Sequence, residues 1–523
     1  MMKILRNMKK KVWLFFLVVC LMGSSIGCGR GKDSGDAEDK NVRNEASNKE
    51  RQGEDSGEIK EITWMYAQMS GMIPEDLQKV QEAVNKITEE KIGVRVKLNP
   101  ISFADYTNQI SLVMASQEKV DIITTAGTNI WASLLNQNQL TSLNELLEQH
   151  GSDIKEILPE AFIDGTTVDG NIYALVNNSA GVGTWGIQMR KDLIEKYGLE
   201  EEVEKLQMVD DIMDMDENIA VLEHIFQTIK ENEPELEIFY PWGAHLAVSY
   251  DGLSDKLGVM LKHGTEIENL YATENFEKLC STMYGWTQDG YIMKDAAVTT
   301  ESVGSLMQSG RLFAFGINTG RNNFVGEENG YEVYSVNLKL PTIDNGITIF
   351  ANCIPVTSTE PEAAMKFLNL LYGSEELVNL LAYGIEGEHY VKIEDGKIAY
   401  PEGVDPSTSK YPGDQSYMYG NAMLTYFHET HTVQSHDEEI AFRDIAEPMS
   451  CLGFNYNPQN VKNEAAACTS VLNEYVNGLT LGALDPSVEL PNFLEKLEKS
   501  GIDRVIAEKQ EQYENWKKGK EAE

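Results

Sequence analysis

The chain has 523 residues, enough for two or three lobes on the usual domain scale, and sets 44 Lys+Arg against 83 Asp+Glu for a formal charge of -39. So acidic a surface repels phosphate backbones and anionic headgroups, which excludes nucleic acid as a natural partner and fits a protein kept soluble outside the cell. None of the six cysteines sits at C-x-x-C spacing, so neither a zinc cluster nor a redox pair is indicated.

The chain opens MMKILRNMKKKVWLFFLVVCLMGSSIGCG, a basic run to Lys11, an apolar run from Val12 to about Met22, then small residues. The apolar run is too short to span a bilayer and reads as a secretory signal. Ser25-Ile26-Gly27-Cys28 resembles the lipobox of bacterial lipoproteins, with Ser25 where leucine is usual, so residues 1–27 are expected to be removed and Cys28 to carry the lipid anchor. The removed part holds five basic residues and no acid, which takes the charge to about -44. Residues 28–58 offer almost no large apolar side chain and read as a disordered tether. No later segment has the ~18 to 20 apolar residues of a membrane span.

From Glu61 the chain alternates short extended runs with helices. EITWMY sets Ile62, Trp64 and Tyr66 at strand period. A helix follows, with Pro74 in its first turn, Leu77, Val80, Val84 and Ile87 on one face and Gly93 at its end. VRVKL is a second strand, and a second helix turns Tyr106, Ile110, Val113 and Met114 inward. DIITTAG is a third strand, leading through WASLLNQNQ into a third helix. Strands joined by such helices imply right-handed crossovers and a mainly parallel sheet with ligand space at the strand ends.

The order DIITTAGTNIWASLLNQNQLTSLNELL, VDGNIYALV, GTWGIQMRKDLIEKYGL resembles the extracellular solute-binding proteins of bacterial ABC importers, the family 1 or maltose-binding-like group, with Val176 where proline is common. SLMQSGRLFAFG and ITIFANCIPVTSTEPEAAMKFLNLLYGSEELVNLLAYG resemble later segments of that family. YGIEGEHYVKIEDGKIAYPEGVD, GFNYNPQNVKNEAAA and GIDRVIAEKQEQYENW resemble a C-terminal domain of unknown function found in clostridial and bacillar lipoproteins of this group. The resemblance implies an α/β, two-lobed, periplasmic-binding-protein-like fold of type II with hinge crossings and a mostly helical C-terminal extension. Lobe 1 would take residues 59–178, lobe 2 residues 179–345, and residues 346–385 would return to lobe 1. Residues 386–523 would form the C-terminal domain, its helices packing across the lobes.

The stretch NSAGVGTWG holds a literal G-x-G-x-x-G, Gly181, Gly183 and Gly186. A dinucleotide loop opens a helix at its third glycine. Here Ile187 and Met189 alternate with Gln188 and Arg190, a strand period, and helix signals begin only at Asp192, so the glycines read as a hinge crossing. A G-x-S-x-G at residues 23–27 falls in the signal. Asp214-Met215-Asp216-Glu217-Asn218 begins like a calcium loop but has Ile219 and Ile225 where Gly and Glu are needed, and Asp216 or Asn218 is expected to cap a helix instead. His428, His431 and His436 fall within nine residues, but His428-Glu429-Thr430-His431 is one residue short of H-E-x-x-H and the stretch reads as a solvated acidic loop. Cys280, Cys353, Cys451 and Cys468 read as buried free thiols, with a Cys451–Cys468 disulfide as the alternative. Among 83 acids no particular pair is marked for glycoside hydrolysis.

Sugar receptors join flat aromatic platforms to amide and carboxylate hydrogen-bonding groups. The candidates at strand ends are Tyr66, Gln68, Asn129, Trp131, Trp185, Trp242, Asn318, Arg321, Glu386 and His389. The expected function is a monomeric, lipid-anchored receptor on the extracytoplasmic face of the cell membrane, delivering a small solute, an oligosaccharide first, to ABC permease subunits. No cofactor, metal or catalysis is expected. A receptor for peptide or another polar solute, a surface glycan-processing enzyme and an adhesive or sensor-presenting lipoprotein are the alternatives.

Overall fold

A computed structural model of the chain describes residues 58–68, 73–179, 182–318, 330–405, 408–411, 415–429 and 436–521. The signal and nearly all of the tether, with Cys28, lie outside the described residues, as do Gly181, Arg321 and His431. Residues 57–523 form one compact unit.

β1 (Lys60–Gln68) is followed by α1 (Leu77–Ile92), β2 (Val94–Ser102), α2 (Phe103–Ser116), β3 (Ile122–Thr124) and α3 (Thr128–Asn136). β1 pairs in parallel with β2 along its whole length and with β3 on its other side. Same-handed crossovers place α1 and α2 on opposite faces of this sheet, so β1 is covered on both sides. Met65 and Ala67 are therefore as buried as Ile62, Trp64 and Tyr66, and the two-residue alternation visible in the sequence is lost in the burial. α1 starts at Leu77 rather than at Pro74, because Pro74 occupies the turn before it. It ends where Gly93 takes φ +65 and donates its N–H to Glu89 O and Thr88 O, a conformation that costs glycine nothing. Two later strands, Leu175–Val176 and Ala351–Cys353, complete the order β2-β1-β3-(351–353)-(175–176), the 351–353 strand lying antiparallel to both neighbours.

The second sheet runs in the order (333–337)-(186–190)-(312–317)-(237–240). Its strand Leu312–Ile317 is buried at all six positions. Gly186 opens the strand Gly186–Arg190, and the helix Lys191–Tyr197 follows, so the third glycine of G-x-G-x-x-G starts a strand and not a helix. The helix Asp216–Asn232 has no side-chain cap: Asn218 is buried and exchanges two hydrogen bonds with the backbone of Gln207, while Asp216 pairs with Lys278 at 2.7 Å. Neither residue caps, because each has a better partner outside the helix.

Two hydrophobic cores result. One gathers Ile62 to Val176 with Ile343 to Leu452; the other gathers Trp185 to Leu338 with Met449 to Tyr513. Among the described residues the chain passes between them three times, near residues 177–185, 338–343 and 449–454. The stretch 386–523 is divided between the cores: Tyr390, Ile398, Tyr411, Met418 and Tyr419 join the first, whereas the helices Lys462–Thr480, Pro486–Ser500 and Ile502–Lys520 join the second. All four described cysteines are buried and free.

Candidate ligand site at the facing strand ends

The three passages lie side by side and are hydrogen-bonded to one another. Gly183 exchanges N–H···O bonds of 2.8 and 2.9 Å with Thr342, and the Thr184 hydroxyl donates to Lys339 O at 2.5 Å. Thr342–Ile343 pairs in parallel with Glu447–Pro448. Asn345 joins the second passage to the third and to lobe 2: its N–H and Nδ2 donate to Asp251 Oδ2 at 2.8 and 2.9 Å, its Nδ2 also to Cys451 O, and its Oδ1 accepts from Gly453 N. Lys262 bridges Asp210 and Glu447 across the same junction.

This junction buries charge. Burial, reinforced by neighbouring Asp251, pushes the Asp344 carboxyl up to about 7, and burial pulls the Lys339 ammonium down to about 8. A carboxyl that holds its proton to about 7 when folded but to about 4 when unfolded gives the folded state the extra proton between those values. The stability that Asp344 contributes therefore falls as pH rises from about 4 to 7. We expect Asp344→Asn to flatten that fall, by up to about 4 kcal/mol at neutral pH, in urea unfolding at pH 4.5 and 7.5. Equal slopes for the two proteins would remove Asp344 from this role.

Topology shows which strand ends face the junction. In lobe 1 the first passage leaves from Val176, at the edge that holds the C-terminal ends of β1 and β3. In lobe 2 it enters at Gly186, opposite Ile317 and Asn337, and that edge also carries Tyr240. Ligands of α/β sheets bind at such carboxyl ends.

On the lobe 2 edge three predicted residues come together. Trp242 follows its strand and is 42% exposed beside the junction. Its backbone carbonyl accepts from the Trp185 indole N–H at 3.3 Å, and Trp185 itself is buried. A side chain at Gly316 would put Cβ 2.2 Å from Trp242 O and 3.2 Å from the Trp185 nitrogen, so a glycine is required for this close approach. Asn318, exposed, follows immediately.

On the lobe 1 edge Tyr66 and Gln68 are buried, because the segment 415–421 covers them. Gln415 Nε2 donates to Gln68 Oε1 at 3.0 Å and to Tyr419 Oη at 3.2 Å, and the Tyr66 and Tyr419 rings meet edge to face at 5.8 Å. Their desolvation pushes both phenols well above their usual pKa, so each stays a neutral hydroxyl. Behind them runs a buried chain from Trp64 Nε1 to Thr124 Oγ1, on to Asn352 Oδ1, and from Asn352 Nδ2 to Asn177 Oδ1. Next along the passage, Asn178 is held by Asn421 and by Arg443. These amides fix the start of the first passage. Their one trace in the sequence is the pair of consecutive asparagines just before the glycine stretch.

Of the remaining described candidates, Asn129 alone lies just past a strand end on the junction edge. Trp131 is in the core, and Asn129 is exposed at the start of α3. Glu386 is exposed and pairs with Lys392, whereas His389 is buried. His389 Nδ1 accepts from Ile385 N–H, so Nε2 carries the proton and donates to Asp76 at 3.1 Å, which lowers the Asp76 pKa. Asp76, Glu388 and His389 converge closely enough to suggest a cation site. Lys79 pairs with both carboxylates and both imidazole nitrogens are engaged, so the arrangement fits an ion-pair cluster and not a metal ligand set. His436 likewise turns one ring nitrogen to Glu439 and the other to Thr425 O.

Comparison with known proteins gives a consistent result. The sequence model described as bacterial extracellular solute-binding protein matches residues 73–377, more than half of the chain, and a domain of unknown function, DUF3502, matches residues 450–518. A carbohydrate ABC transporter substrate-binding protein of Streptococcus pneumoniae serotype 4 is 26% identical over 99% of this chain and 100% of its own length. The crystal structure of the N-glycan transport solute binding protein NgtS from Streptococcus pneumoniae is 24% identical, covers 88% of this chain and 100% of its own, and superposes with a TM-score of 0.75. Its complex with Man1GlcNAc gives 0.69 over 87% and 99%, and that with Man5GlcNAc gives 0.66 over 88% and 99%.

Proposed function

The chain belongs to the bacterial extracellular solute-binding protein family, and from that premise we propose that it captures a neutral oligosaccharide of the N-glycan type between its lobes and hands it to the permease subunits of an ABC importer. The observation that carries this reading is the pair of strand-end edges meeting at three hydrogen-bonded passages, with the exposed Trp242 on one of them. A platform of that kind takes the C–H face of a pyranose, and Asn318 beside it offers amide hydrogen bonds to the hydroxyls. The carbohydrate relative and the glycan complexes of NgtS support the choice of ligand. Cys28 carries the lipid that keeps the monomeric receptor at the outer face of the membrane. The sugar leaves unaltered, so turnover has no part in the function.

A thermal-shift screen tests this. An oligosaccharide at 100 times its dissociation constant adds roughly 2.7 kcal/mol of stability and raises the melting temperature, and chromatography of the mixture recovers the sugar intact. Cleaved sugar would point to the glycan-processing enzyme. A response to peptides alone would point to the peptide receptor, and a flat response to every solute to the adhesive lipoprotein.

A further inference from the structure

A second feature of lobe 1 has the chemistry of the same ligand. Between α2 and α3 runs a groove of about 400 Å³, within the usual range of small-molecule sites. Its walls offer the hydroxyls of Thr107, Ser111 and Ser133 and the amides of Asn129, Gln137 and Gln139, over a floor of aliphatic side chains. No lining residue is charged. In a chain of which 24% is charged and whose net charge is -39, residues 106–117 and 122–144 contain no Asp, Glu, Lys or Arg. A neutral polyhydroxylated ligand matches such walls, because an ionic one would find no partner in them. A peptide strand fits less well, since helices keep their backbone groups paired and leave no sheet edge to extend.

The groove also begins where the interlobe site lies. Asn129 is the second residue of α3, just past the end of β3. Phe103, 50% exposed at the first position of α2, precedes Thr107 and Ser111 at four-residue steps along one helix face, so its ring stands at that same end. From Thr107 to Ala115 the groove runs about 12 Å, longer than one sugar ring needs.

We propose that the groove between α2 and α3 is a saccharide subsite that takes the distal, uncharged part of an oligosaccharide whose other end is held between the lobes. The proposal rests on the oligosaccharide reading above.

Ser111 and Ser133 are exposed positions on opposite walls, so Ser111→Tyr and Ser133→Tyr fill the groove without disturbing the core. Calorimetry with Man1GlcNAc and Man5GlcNAc as probes reads the effect. Both variants are expected to lose about tenfold or more in affinity for Man5GlcNAc while binding Man1GlcNAc as the parent does. A parent that binds Man5GlcNAc and two variants that bind it equally well would overturn the subsite alone. Variants that keep both affinities but lose uptake in cells would assign the groove to a permease contact and overturn it as well. A parent that binds neither probe would remove the oligosaccharide reading together with the groove.

Discussion

Replacing Lys509 by methionine is expected to lower the unfolding free energy by about 3 kcal/mol. Lys509 lies on the C-terminal helix and is fully buried. Its ammonium donates to Asp255 Oδ1 at 2.6 Å and to Gly258 O at 2.9 Å, and it stands 4.5 Å above the Tyr456 ring. Burial pulls its pKa down while Asp255 pushes it up, and the pairing is what keeps so deep a charge tolerable. Methionine fills the same volume, so the loss isolates the charge and its hydrogen bonds from packing. Breaking a buried pair costs about 3 to 5 kcal/mol. The Asp255 side chain is 25% exposed and regains some hydration, which places the loss at the lower end of that range. The midpoint of urea unfolding should fall at constant slope. A loss under about 0.5 kcal/mol would show that the C-terminal helix is held by its apolar face alone.

Trp242→Ala is expected to weaken Man5GlcNAc binding by about 10- to 100-fold, or roughly 1.5 to 3 kcal/mol, with little change in stability. The two tryptophans at this edge differ in what they do. Trp242 is 42% exposed and joins the fold through its backbone, its N–H donating to Tyr240 O at 2.8 Å and its carbonyl accepting from the Trp185 indole. Trp185 is buried, so Trp185→Ala should cost about 3 to 5 kcal/mol of stability instead. Titration calorimetry of Trp242→Ala beside the parent separates affinity from folding. Unchanged affinity would show that the indole face does not meet the sugar.

Much of lobe 1 was legible in the sequence because its signals are local. The alternation Ile62, Trp64, Tyr66 and the helical spacing from Leu77 to Ile87 need only neighbouring residues to be read, and Gly93 ends α1 through its own dihedral freedom. The strand after Gly186 could be told from a phosphate loop by the same local period. What could not be read depends on residues far apart in the chain. Tyr66 and Gln68 sit at a strand end as expected, yet Gln415 and Tyr419 close over them from nearly 350 positions away. His389 is turned inward by Asp76, and Asn218 leaves its expected capping role for the backbone of Gln207. Asn177, Asn178 and Asn352 carry no motif, since an amide ladder is defined only once three separate segments have met.

The central claim is that two lobes swing about their three shared passages and enclose the sugar. Small-angle X-ray scattering of residues 57–523, with and without saturating Man5GlcNAc, tests it most directly. Closure predicts a smaller radius of gyration in the presence of the glycan. A saturated complex with the same radius as the free protein would contradict it.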